Sequence, residues 1–124
     1  METERQRKIL EGDIEKAKLL GDGNDYRTVE FSNGDVYKGS LKNGKPHGYG
    51  KMDYADSERY TGNWENGLHS GQGKKEWLDN MSYEGEWKLG MMHGYGRCVS
   101  GFLGVNVSEG YFYEDEFIGK ENPN

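Results

Sequence analysis

Small and aromatic residues alternate with polar ones along most of this chain, and the alternation has the two-residue period of a strand. It is clearest from Tyr60 to Gly73. There Tyr60, Gly62, Trp64, Gly71 and Gly73 fall on one side of the pleat, while Thr61, Asn63, Glu65, Ser70, Gln72 and Lys74 fall on the other. Asn66-Gly67 between the two runs is a hairpin signal, because a two-residue type I′ turn needs positive φ at both central positions. A turn centred there predicts Trp64 opposite His69, Gly62 opposite Gly71 and Tyr60 opposite Gly73. Rings on one strand would then lie over residues without side chains on the next. One face is aromatic and glycine; the other is wet.

The same stretch recurs at a step of 23 residues: Tyr37-x-Gly39-x-Leu41, Tyr60-x-Gly62-x-Trp64 and Tyr83-x-Gly85-x-Trp87. The turn glycines Gly44, Gly67 and Gly90 keep that step, as do the pairs Gly48/Gly50, Gly71/Gly73 and Gly94/Gly96. A third aromatic column, Phe31, Tyr54 and Trp77, precedes each tyrosine by six. A period in the range of about 20 to 50 residues marks an array in which no unit buries its own face alone.

The pattern Y-x-G-x-W-x-x-G-x-x-x-G-x-G at this step resembles the MORN repeat family. The match is nearly complete over 60–73, relaxed over 37–50 by Leu41, and good over 83–96. The resemblance implies a mainly β fold: an elongated, single-layer solenoid of antiparallel hairpins. It also implies a scaffold or interaction module, of the kind found in ciliary, membrane-junction and cytoskeletal assemblies. Some similar proteins have been proposed to contact phospholipid.

Outside the repeats, Thr3-x-x-Gln6 is a capping box that predicts an N-terminal helix with a narrow apolar stripe of Leu10, Ile14 and Ala17. Gly21-Asp-Gly23 ends it. Tyr26 to Val36 enters the sheet as a half-repeat, with Asn33-Gly34 turning into the first full one. After Arg97 the register fails: position 106, where the next tyrosine would fall, is Asn. Tyr113 and Phe117 echo the tyrosine–tryptophan pair, so 98–124 reads as a divergent capping hairpin with an acidic tail. The organisation is therefore 1–25 helix and linker, 26–97 repeats, 98–124 cap.

Charge narrows the partners. Of the 22 acids and 16 bases, residues 37–99 hold eight acids and nine bases, while the acidic excess sits at the two ends. Nearly neutral repeats lack the basic stripe that nucleic acid requires, and they disfavour a polybasic membrane reading. Cys98 is the only cysteine, so a disulfide framework is out and a reducing compartment is expected. The opening residues Met-Glu-Thr-Glu-Arg fit neither a secretory signal nor a transit peptide, and no apolar run reaches the length of a membrane span. Cytoplasmic, cytoskeletal or ciliary placement is the expectation.

Candidate chemistry is thin. His47 and His93 share a repeat position two repeats apart, roughly 19 Å across four strand spacings, too far to share a metal. All three histidines read as solvated. The glycine pairs lack the P-loop spacing, and Cys98 reads as a small packed residue. Neither cofactor, metal nor catalytic residue is expected. The columns Tyr37/Tyr60/Tyr83, Leu41/Trp64/Trp87 and Tyr54/Trp77 are expected to build the core and to line a groove for a partner segment, over the structural glycines Gly39, Gly48, Gly50, Gly62, Gly71, Gly73, Gly85, Gly94 and Gly96. That face needs a cover, from the N-terminal helix, a second copy, or a partner protein in a larger assembly. The expected function is a non-enzymatic scaffold or adaptor. The rival is a phospholipid adaptor using Lys38, Lys42, Lys45, Lys51 and Lys74; an enzyme is a distant third.

Overall fold

The computed structural model describes residues 26–101 and 106–122. Over those residues the chain is a single open antiparallel sheet of nine strands, each hydrogen-bonded to the next in sequence. The strands are β1 Tyr26–Glu30, β2 Val36–Lys42, β3 Lys45–Asp53, β4 Arg59–Glu65, β5 Leu68–Glu76, β6 Ser82–Lys88, β7 Met91–Ser100, β8 Asn106–Tyr113 and β9 Glu116–Gly119. The expected helix with its stripe of Leu10, Ile14 and Ala17 lies outside the described residues.

Two kinds of connection alternate. The turns inside the repeats are two residues long with positive φ at both: Asn43-Gly44 at 53° and 78°, Asn66-Gly67 at 50° and 86°, Leu89-Gly90 at 51° and 81°. These are the left-handed positions a type I′ turn demands, and Asn-Gly fills them with least strain. Between repeats the chain takes five-residue loops, closed by the N–H groups of Phe31, Tyr54 and Trp77 donating to the carbonyls of Asp35, Glu58 and Met81 at 2.8–2.9 Å. The third aromatic column therefore stands where strand gives way to loop.

The hairpin register differs from the one the turn alone predicts. Trp64 does face His69, but Gly62 faces Gly73 and Tyr60 faces Lys75. Three residues of β5 oppose the single Asn63, and the other repeats bulge at the same place, between Gly39 and Leu41 and between Gly85 and Trp87. The cause is Gly71, whose φ of 63° throws the strand out of its pleat. A side chain at Gly71 would point at Asn63, on the wet face, so Gly71 does not belong to the ring face as expected. Because the slip is two residues, the rings keep their side of the sheet.

The capping hairpin is built differently from the sequence expectation too. Gly110 faces Gly96 and the ring of Phe112 packs against Tyr83, so the repeat resumes two residues late instead of failing. Tyr113, expected to echo the tyrosine column, is instead 55% exposed. The two added residues fall between β7 and β8, and the pairing from Ser100 with Asn106 to Gly94 with Phe112 runs without a shift.

Candidate interaction surface

Each tyrosine of the Tyr-x-Gly motif lies flat along its own hairpin. A Cβ placed on Gly73 would stand 2.0 Å from the Tyr60 hydroxyl, and Gly50 under Tyr37 and Gly96 under Tyr83 are equally tight. Only glycine lets the backbone come that close. The hydroxyls donate to carbonyls three residues on, Tyr37 to Ser40 at 2.7 Å, Tyr60 to Asn63 at 2.8 Å and Tyr83 to Glu86 at 3.0 Å. That contact ties the ring to the bulged part of its own strand pair.

The tryptophans join one repeat to the one before. Trp64 Nε1 donates to the Gly50 carbonyl and Trp87 Nε1 to that of Gly73, both at 3.0 Å. Leu41 holds the same column without an N–H. One repeat before Gly50 stands Arg27, whose register partner is Gly39. Across the sheet the rings meet edge to face: Tyr37 on Trp64, Trp64 on Tyr60, Tyr60 on Trp87, Trp87 on Tyr83 and Tyr83 on Phe112, with centroids 4.9–5.6 Å apart. Such pairs add roughly 0.5–1.5 kcal/mol each beyond the burial itself.

This packing decides what the ring face can offer. Tyr37, Leu41, Tyr60, Trp64, Tyr83 and Trp87 are at most 4% exposed, and Tyr54 is buried as well. Of the residues expected to line a groove, Trp77 alone is half-buried, its ring tilted at 6.4 Å from Trp87. The columns are thus core first, brought together as one continuous stack.

The middle repeat carries a polar cluster that the sequence reading missed. His69, expected to be solvated, is 3% exposed, stacked on Tyr60 at 3.7 Å and flanked by the edges of Trp64 and Trp87. Its Nε2 lies 2.9 Å from the Tyr54 hydroxyl. The column explains the burial: Pro46 and Met92 hold the same position and are buried too. Lys75 is fully buried, 3.1 Å from the Glu58 carboxylate, with its ammonium 4.2 Å above the Tyr54 ring. Its column companions Met52 and Cys98 were the available signal, an apolar position occupied once by a base.

Burial pushes the phenols of Tyr60 and Tyr83 well above their ordinary range, for Tyr83 with the charge of Glu86 adding to it. Burial also raises the Cys98 thiol, which packs against the core and is therefore a poor nucleophile. On the outer face a single cross-strand row runs Lys38, Lys51, Thr61, Lys74, Glu84, Arg97, Glu109. It begins basic and ends in alternating charge, with Arg97 Nε 3.3 Å from Glu109. His47 and His93 stand half-buried on this face, His47 Nδ1 accepting from the Asn66 N–H at 3.2 Å. Among the described residues, none forms a cluster of three metal-ligating side chains, and no helix is long and apolar enough to cross a membrane.

Comparison with known proteins agrees with this geometry. A search of curated proteins returned no match. A family model of the MORN repeat matches residues 37–59, 60–82 and 83–101, consecutive units that together span just over half of the chain. Repeats of this kind are non-enzymatic modules that commonly bind proteins or membrane lipids. The ring–glycine stack is what those three matched units share, and the chain belongs to the MORN repeat family.

Proposed function

We propose that the chain is a non-enzymatic scaffold or adaptor that holds a partner protein within a larger assembly. A ciliary or cytoskeletal setting is favoured by the kinds of protein the repeat resembles. The observation that carries the reading is surface the fold does not use. Eight large apolar side chains, Tyr49, Leu78, Leu89, Tyr95, Val107, Tyr113, Phe117 and Ile118, stand 42–61% exposed on a sheet one layer thick. A contiguous exposed apolar patch marks an interaction surface, and Tyr113 and Ile118 share one open hollow of the last hairpins with Tyr111 and His93. A partner segment on the ring side would rest on the stack as a floor and touch it chiefly at Trp77.

Trp77→Ala and Trp87→Ala separate the roles of floor and contact. Trp87→Ala is expected to lower the melting temperature strongly, as a core deletion worth roughly 3–5 kcal/mol. Trp77→Ala is expected to weaken co-purification of the partner with a smaller thermal effect. Equal retention of partner by Trp77→Ala and wild type would remove the ring side as the docking face.

A second reading has its own observation. Lys38, Lys51 and Lys74 share one row of the outer face, and Lys42 pairs with Lys45 beside it, which suits an anionic phospholipid surface. Flotation with anionic vesicles tests it: a salt-sensitive shift supports the lipid adaptor, and none leaves the protein scaffold.

A further inference from the structure

At the C-terminal end of the sheet the outer face is hollowed. Strands β7, β8 and β9 leave an open dent of about 660 Å³ bounded by His93, Tyr111, Tyr113, Ile118 and Asn122. Its walls are largely aromatic. The His93 and Tyr113 rings lie 5.1 Å apart at 47° to each other, and Tyr111 is braced edge-on by Tyr95 at 5.3 Å. Tyr113 and Ile118 are 55% and 46% exposed, so the walls are open to a guest.

Carboxylates adjoin the dent: Glu116 is the register partner of Tyr113, and Glu114 and Glu121 are chain neighbours of Tyr113 and Asn122. The turn and strand from 114 to 121 carry Glu114, Asp115, Glu116 and Glu121 against Lys120. Asp115 is spent on the backbone, its carboxylate accepting from the Met92 N–H at 2.9 Å, while Glu114, Glu116 and Glu121 are exposed. Ring faces and carboxylates act in the same direction on a cation and in opposite directions on an anion. A plain apolar guest would satisfy the rings and gain nothing from the rim. The corresponding place in the first repeat, around Ser40, Lys42 and His47, carries basic charge instead.

We propose that this dent is a docking point for an arginine side chain presented by an extended partner segment. Arginine suits it better than lysine, because a planar guanidinium lies against tilted rings while its edge N–H groups reach carboxylates at the rim. The proposal rests on the protein-interaction reading above and adds the chemistry of the partner.

The test titrates the full chain with an acetylated, amidated peptide of alternating glycine and arginine, followed by NMR of the ring protons. The control peptide carries citrulline, which keeps the planar group and removes the charge. The expected result is binding with shifts centred on His93, Tyr111 and Tyr113. Tyr113→Ala should weaken it by about fivefold or more, and Tyr113→Phe should retain it. Glu114→Gln combined with Glu116→Gln should weaken it as well, while Thr28→Ala, on β1 at the other end of the sheet, should change nothing. Absence of binding, equal affinity for the citrulline peptide, or unchanged affinity in Tyr113→Ala would overturn the proposal. Any of these would remove the arginine site alone, since co-purification with Trp77→Ala tests the scaffold reading separately.

Discussion

The middle repeat and its neighbours share a backbone but not a core chemistry. In the third repeat Trp77 and Met92 fill the places held by Tyr54 and His69 in the second, and Met81 and Cys98 those of Glu58 and Lys75. The first repeat has Phe31 with Pro46, and Asp35 with Met52. Where the middle repeat departs from apolar residues it does so in matched couples, a phenol with an imidazole and a carboxylate with an ammonium. The repeat therefore specifies size and side of the sheet, and leaves polarity free provided each buried polar group finds another.

The largest effect that would sharpen this contrast is at Glu58. Glu58→Ala removes a counter-charge from a fully buried Lys75 and is expected to cost about 3–5 kcal/mol in urea unfolding. Lys75→Met, which copies Met52, is expected to be neutral or stabilising, because it removes the buried charge itself. If Glu58→Ala cost no more than a surface substitution, the couple would not be a structural unit.

Next comes the feature all repeats share. Gly73→Ala and Gly96→Ala should each cost roughly 3 kcal/mol, through the collision of the new methyl with the Tyr60 or Tyr83 hydroxyl. A marked difference between them would mean that the ring–glycine contact is not common currency along the ribbon. Calorimetric melting of the two variants decides it.

Alkali should act on the same tyrosines. The phenols of Tyr60 and Tyr83 titrate higher in the folded chain than in the unfolded one. Their contribution is complete below the ordinary phenol range near pH 10, and is lost as pH rises through the folded values. Unfolding free energy should therefore fall above about pH 10, by up to about 1.4 kcal/mol per tyrosine per pH unit. A flat profile to pH 11 would contradict the burial of these hydroxyls. The smallest effect is in a turn: Leu89 has a φ of 51° where the other repeats place Asn43 and Asn66. Leu89→Asn should add about 0.5–1 kcal/mol of stability, measurable as a raised urea midpoint.

Much of this was legible in the sequence, for stated reasons. The Tyr-x-Gly columns and Asn-Gly turns encode hairpins by steric rules that act within a few residues, so the strands, their order and the ring face follow from position alone. The bulge does not, because a glycine at position 71 is equally compatible with a straight pleat, and its φ of 63° is not legible from residue type. His69 and Lys75 were misplaced or passed over for a different cause. Residue type argued for solvent, while their columns, Pro46/Met92 and Met52/Cys98, argued for burial. Phe112, and not Phe117, holds the tryptophan column, because a two-residue insertion between β7 and β8 is invisible to a fixed step.

Cross-linking mass spectrometry on the native assembly asks the central question most directly. The scaffold reading expects lysines on several strands of the ribbon, among them Lys51, Lys74 and Lys88, to be joined to one other polypeptide along a continuous path. Links confined to the chain itself, or scattered over unrelated proteins without such a path, would contradict it.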